Sequence, residues 1–126
     1  MGDDVRMPGT AQLPWGTQWD LRTSVDPALD ADAFLVTLGF QDQRAGGRAP
    51  VNRYFGMCRQ DTDSRLSIGP VGMTMMAGPP QAMAAETAYL SLLEQVAAFD
   101  VADDVLTLSD AAGRVLLTFV PSADPE

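Results

Sequence analysis

The residues of this chain that could do chemistry are few and scattered. Asn52-Arg53-Tyr54 is the most distinctive polar run. On a strand Arg53 projects to the face opposite Asn52 and Tyr54, so the three do not converge from local geometry alone. A buried Asn52 amide can satisfy loop backbone groups, while Arg53 can pair with an acid of this chain or hold a partner's carboxylate. A second group is soft: Met73, Met75 and Met76 flank Thr74, with Met57, Cys58 and Met83 not far off in sequence. Thioether and thiolate sulfurs are the ligand set that suits Cu(I). The same methionines can instead fill gaps between a sheet and a helix, or line an apolar cleft. Adjacent Met75 and Met76 on a strand would point to opposite faces. Asp61-Thr62-Asp63 has a trace of a calcium loop but lacks its central glycine and later acidic ligand, so turn chemistry is the reading.

Catalytic designs are mostly excluded by what is missing. Histidine is absent and all eight basic residues are arginine. No imidazole can shuttle protons and no lysine can form a Schiff base. Cys58 is the lone cysteine; it has no histidine to activate it and no partner for a disulfide. A glycosidase would need two carboxylates facing each other across a cleft; Glu86, Glu94 or any aspartate can be nominated, but no pattern singles one out. Neither a nucleophile elbow nor a phosphate-cradling glycine loop is present. The expectation is a non-enzyme with no cofactor and no metal.

The 126 residues, 46% apolar and 20% charged, suit one domain with its own core. Seventeen acids against eight arginines give a formal charge of −9, a field that repels nucleic acid and anionic lipid. The acids are dispersed, with local groupings at Asp26, Asp30 and Asp32 and at Asp103-Asp104, as on a solvated surface. The start of the chain has neither the basic nor the apolar stretch of a signal peptide, and no run approaches a membrane span. A soluble monomer is expected, with removal of a leader left open.

The elements follow from periodicity. Residues 1–14, with Pro8, Gly9 and Pro14, read as a lead-in. Trp15, Thr17, Trp19, Leu21 and Thr23 alternate with polar neighbours, which predicts a strand with both tryptophans on its buried face. Residues 33–40 form an apolar run suited to a central strand. Residues 41–48, containing Gly46-Gly47, read as a connection to a strand over 51–59 with Val51, Phe55 and Met57 on one side. Those two strands are expected to pair as a hairpin. A short strand over 65–68 should end at Gly69-Pro70. From Pro80 to about Ala98, Ala82, Ala85, Tyr89, Leu92, Leu93 and Val96 recur at helical spacing, with Thr87, Ser91, Glu94 and Gln95 opposite. Prolines 79 and 80 suit its start. Strands over 99–102, 105–109 and 114–120 follow as a meander, and 121–126 is a tail. The fold class is α+β: a small, strongly curved antiparallel β-sheet or incompletely closed β-barrel packed on one α-helix, occupying residues 15–120.

Three stretches resemble the META or HslJ-like domain family: residues 51–56 (VNRYFG), 66–79 (LSIGPVGMTMMAGP), and 86–99 followed by Leu106-Thr107-Leu108. Relatives show a Cys-Asn-Arg-Tyr/Phe stretch, a strand containing Gly-Pro, a Thr-x-Met-Ala-Cys-Pro stretch, then a helix and terminal hairpin. The two cysteine positions are Val51 and Gly78 here. If those cysteines bond to each other in relatives, their joint absence removes one cross-link, at about 2–4 kcal/mol of stability unless packing compensates. The resemblance implies a partly closed barrel with a helix along it and carries over no catalytic residues. It implies an interaction module linked to the cell envelope, heat shock or other stress, exported or envelope-bound, with a protein or small apolar ligand of the envelope as partner. The alternative is a carrier of an apolar ligand or Cu(I) through the Met-rich region. Asn52, Arg53, Tyr54, Met73, Thr74, Met75 and Met76 are its candidate interaction or structural residues.

Overall fold

A computed structural model describes residues 14–61 and 64–122. Eight strands and one helix follow in the order β1 (Gln18–Ser24), β2 (Thr37–Gln41), β3 (Arg44–Arg48), β4 (Arg53–Gln60), β5 (Leu66–Met73), α1 (Pro80–Gln95), β6 (Ala98–Ala102), β7 (Val105–Ser109) and β8 (Val115–Pro121). They form one sheet ordered β5-β4-β3-β2-β1-β8-β7-β6, with every neighbouring pair antiparallel. The sheet curls until its two edges meet at one end. There Arg65 bridges Ala98, the Leu66 amide donates to the Ala97 carbonyl at 3.0 Å, and the Phe99 amide donates to the Ser64 carbonyl at 2.9 Å. The result is the expected incompletely closed barrel.

Helix α1 lies against the concave side, in contact with β5. It begins at Pro80, with Pro79 at the N-cap and no side-chain cap; proline is tolerated in the first turn because it lacks only an N–H that would be unpaired anyway. Ala82, Ala85, Tyr89, Leu92, Leu93 and Val96 are buried as their spacing predicts. The helix stops at Gln95, short of the expected Ala98, because residues 98–102 pair with β7. Tyr54, Tyr89, Phe40, Phe119 and Leu93 are almost fully buried between helix and sheet. The interior is thus occupied by side chains.

Several expectations need correction. β1 starts at Gln18, so Trp15 precedes it; Trp19 is buried, but Trp15 is 37% exposed and meets Phe40 edge-on, centroids 6.3 Å apart. The apolar run over 33–40 becomes strand only from Thr37. The supposed connection over 41–48 contains β3, which sits between β2 and β4 and pairs with both, so the predicted hairpin of those two does not form. Its tight turn uses Asp42 and Gln43 at φ 54° and 63°, the left-handed pair of a two-residue hairpin turn. Gly47 then lets β3 approach β2 closely: a Cβ there would lie 2.5 Å from the Thr37 carbonyl oxygen. On β4 the outward residues are Phe55 and Met57, while Tyr54 and Cys58 face the core. β5 does not end at Gly69-Pro70 but continues through that cis peptide to Met73. Pro121 still belongs to β8, and the Ser122 amide donates to the Gln18 carbonyl at 3.0 Å. Most of the expected lead-in (residues 1–13), Thr62, Asp63 and the end of the tail (123–126) lie outside the described residues.

Candidate functional site

The residues singled out by sequence meet where the chain enters β4, leaves β5 and passes Glu86 of α1. Asn52 and Glu86 are each about 1% exposed. Burying such groups is tolerable only when their hydrogen bonds are complete. Glu86 Oε1 accepts from the amides of Val51 (2.9 Å) and Asn52 (2.7 Å), and its Oε2 accepts from Asn52 Nδ2 (2.7 Å). The second Nδ2 hydrogen goes to the Met76 carbonyl at 3.0 Å. Asn52 Oδ1 accepts from the Met76 amide (2.6 Å) and from Thr74 Oγ1 (2.9 Å), and that hydroxyl accepts from the Arg53 amide (3.1 Å). The amide orientation is forced, since an N–H can only donate and a carboxylate or carbonyl only accept.

Asn52 therefore holds both backbone polar groups of Met76, as a neighbouring strand would. Every hydrogen-bonding position of its side chain is used. The network pins the segment after β5, on which Met75 is 89% and Met76 59% exposed. Both methionines lie beyond the strand, so the expected opposite-face placement does not apply. Met73 packs against the core.

A second buried pair adjoins the first. Tyr54 Oη donates to the Thr37 carbonyl at 2.7 Å, so the 2.6 Å contact between the two hydroxyls has Tyr89 as donor. The rings meet edge-on, centroids 5.2 Å apart. Burial and the neighbouring phenol push the Tyr54 pKa well up, and burial raises that of Tyr89. Burial also drives the Cys58 thiol up to about 12, leaving it protonated and unreactive near neutrality.

Arg53 lies opposite Asn52 and Tyr54, as the alternation predicts; which side is inner comes from the structure, which buries Asn52 and Tyr54 and exposes Arg53. The sulfurs are not gathered: Cys58 is inside, Met57 outside on the next residue, Met73 against the core, and Met75 and Met76 on the exposed segment. Among the described residues no three His, Cys, Asp or Glu side chains are placed to hold a metal ion, and no helix is long and apolar enough to cross a membrane. Sequence reasoning named Glu86 only as one carboxylate among many and missed its role as the partner of Asn52. Its signal was present: it lies four residues from Ala82 and three from Tyr89, an acid inside the apolar stripe.

No curated protein matches this sequence. Among solved structures, the chain is similar to a protein from Burkholderia xenovorans determined by NMR, with 27% identity and a TM-score of 0.69 over 87% of this chain and 84% of that one. A second NMR structure shares the fold at 22% identity and a TM-score of 0.59, covering 82% and 87% of the respective chains. The sequence pattern of the META domain matches residues 11–123, from before β1 to past β8 and through both buried networks, and the chain belongs to the META domain family.

Proposed function

We propose that this domain works by non-covalent interaction rather than catalysis, as a docking module of the cell envelope or of a stress response, and that the Met75–Met76 segment is its contact. One observation carries the reading. The buried polar side chains Asn52 and Glu86, with Thr74, are saturated by one another and by backbone groups, and together they fix a segment presenting two exposed methionines. Flexible thioethers suit a surface that adapts to a partner. The carrier alternative finds less support, since the interior is occupied and the sulfurs are dispersed.

The test is a photo-crosslinking residue at position 75 in the intact source cell, with the same probe at exposed Thr87 on the outer side of α1 as control. A discrete adduct from position 75 alone is expected, lost when Met76 is changed to Ser in a protein of unchanged melting temperature. Adducts equal at both positions, or none, refute the docking role. Turnover of a substrate abolished by a single carboxylate substitution would refute the non-enzymatic reading.

A further inference from the structure

The outer face of the sheet carries a feature independent of the methionine segment. A trough of about 570 Å³ is lined by Asp20, Leu35, Thr37, Gly39, Gly46 and Gly47 together with Arg48 and Arg53. Gly39 and Gly46 are register partners and line it; they also line a second, smaller hollow of about 310 Å³ that reaches Phe55. Arg48 and Arg53 are direct partners across β3 and β4, both exposed on this face. Like charges placed opposite each other in an antiparallel pair are destabilising. The chain keeps them together although its net charge is −9, and neither guanidinium has a hydrogen bond or ion pair among the described residues. Their backbone amides are held by Thr37 Oγ1 (2.9 Å) and Thr74 Oγ1 (3.1 Å), so the two side chains leave a fixed base.

We infer that this trough is an oxyanion-binding site, in which Arg48 and Arg53 together clamp a carboxylate or phosphate group of a ligand whose remainder lies on the glycine floor. Two guanidinia offer paired N–H forks that match the geometry of either oxyanion. Glycine at Gly39 and Gly46 leaves the floor bare of side chains, so a ligand body can lie against the sheet there, and exposed Leu35 supplies an apolar wall. Asp20 lines the same trough from β1, two strands away from Arg48. It repels an anion there and so orients the charged end toward the arginines.

The test is a chemical-shift titration of the folded chain at low ionic strength, with inorganic phosphate in one arm, succinate in another and chloride as the control anion. Saturable shifts are expected at the amides of Gly46, Gly47, Arg48 and Arg53 with at least one oxyanion and not with chloride; the arm that saturates at lower concentration identifies the preferred group. Arg48→Gln and Arg53→Gln should each weaken binding by about tenfold, reflecting loss of one charge-assisted fork. Arg48→Lys should weaken it less, keeping charge but not the fork. Arg114→Gln removes the same unit of charge from an exposed turn elsewhere and should leave binding unchanged. No saturable shift, or equal weakening in Arg114→Gln, overturns the site. The outcome does not depend on Met75 or Met76, so it can fail while the docking reading stands, and the reverse.

Discussion

At the scale of single residues, the fold depends on a carboxylate inside an apolar stripe. Glu86 is tolerated there because its two oxygens take three N–H donors from residues 51 and 52. The arrangement needs an acceptor at both oxygens, which sets a sharp test. In Glu86→Gln the remaining oxygen can still serve the two backbone amides, but the new NH2 then faces Asn52 Nδ2, donor against donor. Turning the Asn52 amide around only moves the conflict to the Met76 amide, which needs Asn52 Oδ1. One buried donor is stranded in either arrangement. The expected cost is about 1–3 kcal/mol of unfolding free energy, the penalty for a buried polar group left without a partner. Urea denaturation of the two proteins measures it, and a loss well below that range would mean that water reaches the network.

At the scale of elements, the network ties the entry to β4 to the exit from β5, where the family resemblance also places its two cysteines. Val51 and Gly78 are neighbours in space. A Cβ on Gly78 would lie 3.6 Å from Val51 Cβ but only 2.8 Å from its Cγ2. The first distance falls within the range of about 3.5–4.5 Å between the Cβ atoms of a disulfide, whereas the second is a clash. Valine and glycine are therefore complementary: the side chain at 51 occupies the space a side chain at 78 would need. Gly78→Ala alone should destabilise, while the double substitution Val51→Cys with Gly78→Cys should oxidise spontaneously. Its oxidised form should exceed its own reduced form by about 2–4 kcal/mol, read from denaturation with and without reductant; free thiols persisting in the folded double variant would contradict the geometry. The same region shows what was legible in sequence. The helix and the last three strands follow from plain periodicity, which burial on one face enforces, whereas on β4 the apolar alternation of Phe55 and Met57 marks the exposed face and the buried one carries Tyr54 and Cys58. β3 was hidden because its turn is Asp42-Gln43 rather than a glycine pair, and because Gly46-Gly47 reads as loop unless one knows that a neighbouring strand runs too close for a side chain. The partnership of Asn52 with Glu86 spans 34 residues of sequence, and no local pattern pairs an acid on a helix with an amide on a distant loop.

At the scale of the whole molecule, the composition gives the protein an unusual response to alkali. With no histidine and no lysine, and with arginines that stay charged, the only side chains left to titrate above neutrality are Cys58, Tyr54 and Tyr89. All three are in the core, and all three have pKa values raised chiefly by burial. In the unfolded chain the thiol ionises near 9 and the phenols near 10. The folded state holds these protons to higher pH, so it binds more protons than the unfolded state over that interval. Stability must then fall as pH rises. The contribution is complete below about pH 9 and is lost as pH climbs through 10 toward the raised values; for the two phenols together the slope is about 3 kcal/mol per pH unit. Because Tyr54 and Tyr89 are the only tyrosines, tyrosinate absorbance reports them without background. The folded protein should show no absorbance step near pH 10, and the signal should appear only together with loss of circular dichroism, in one cooperative transition. A reversible step near pH 10 with the dichroism intact would place at least one phenol in water and dismantle the paired-tyrosine core.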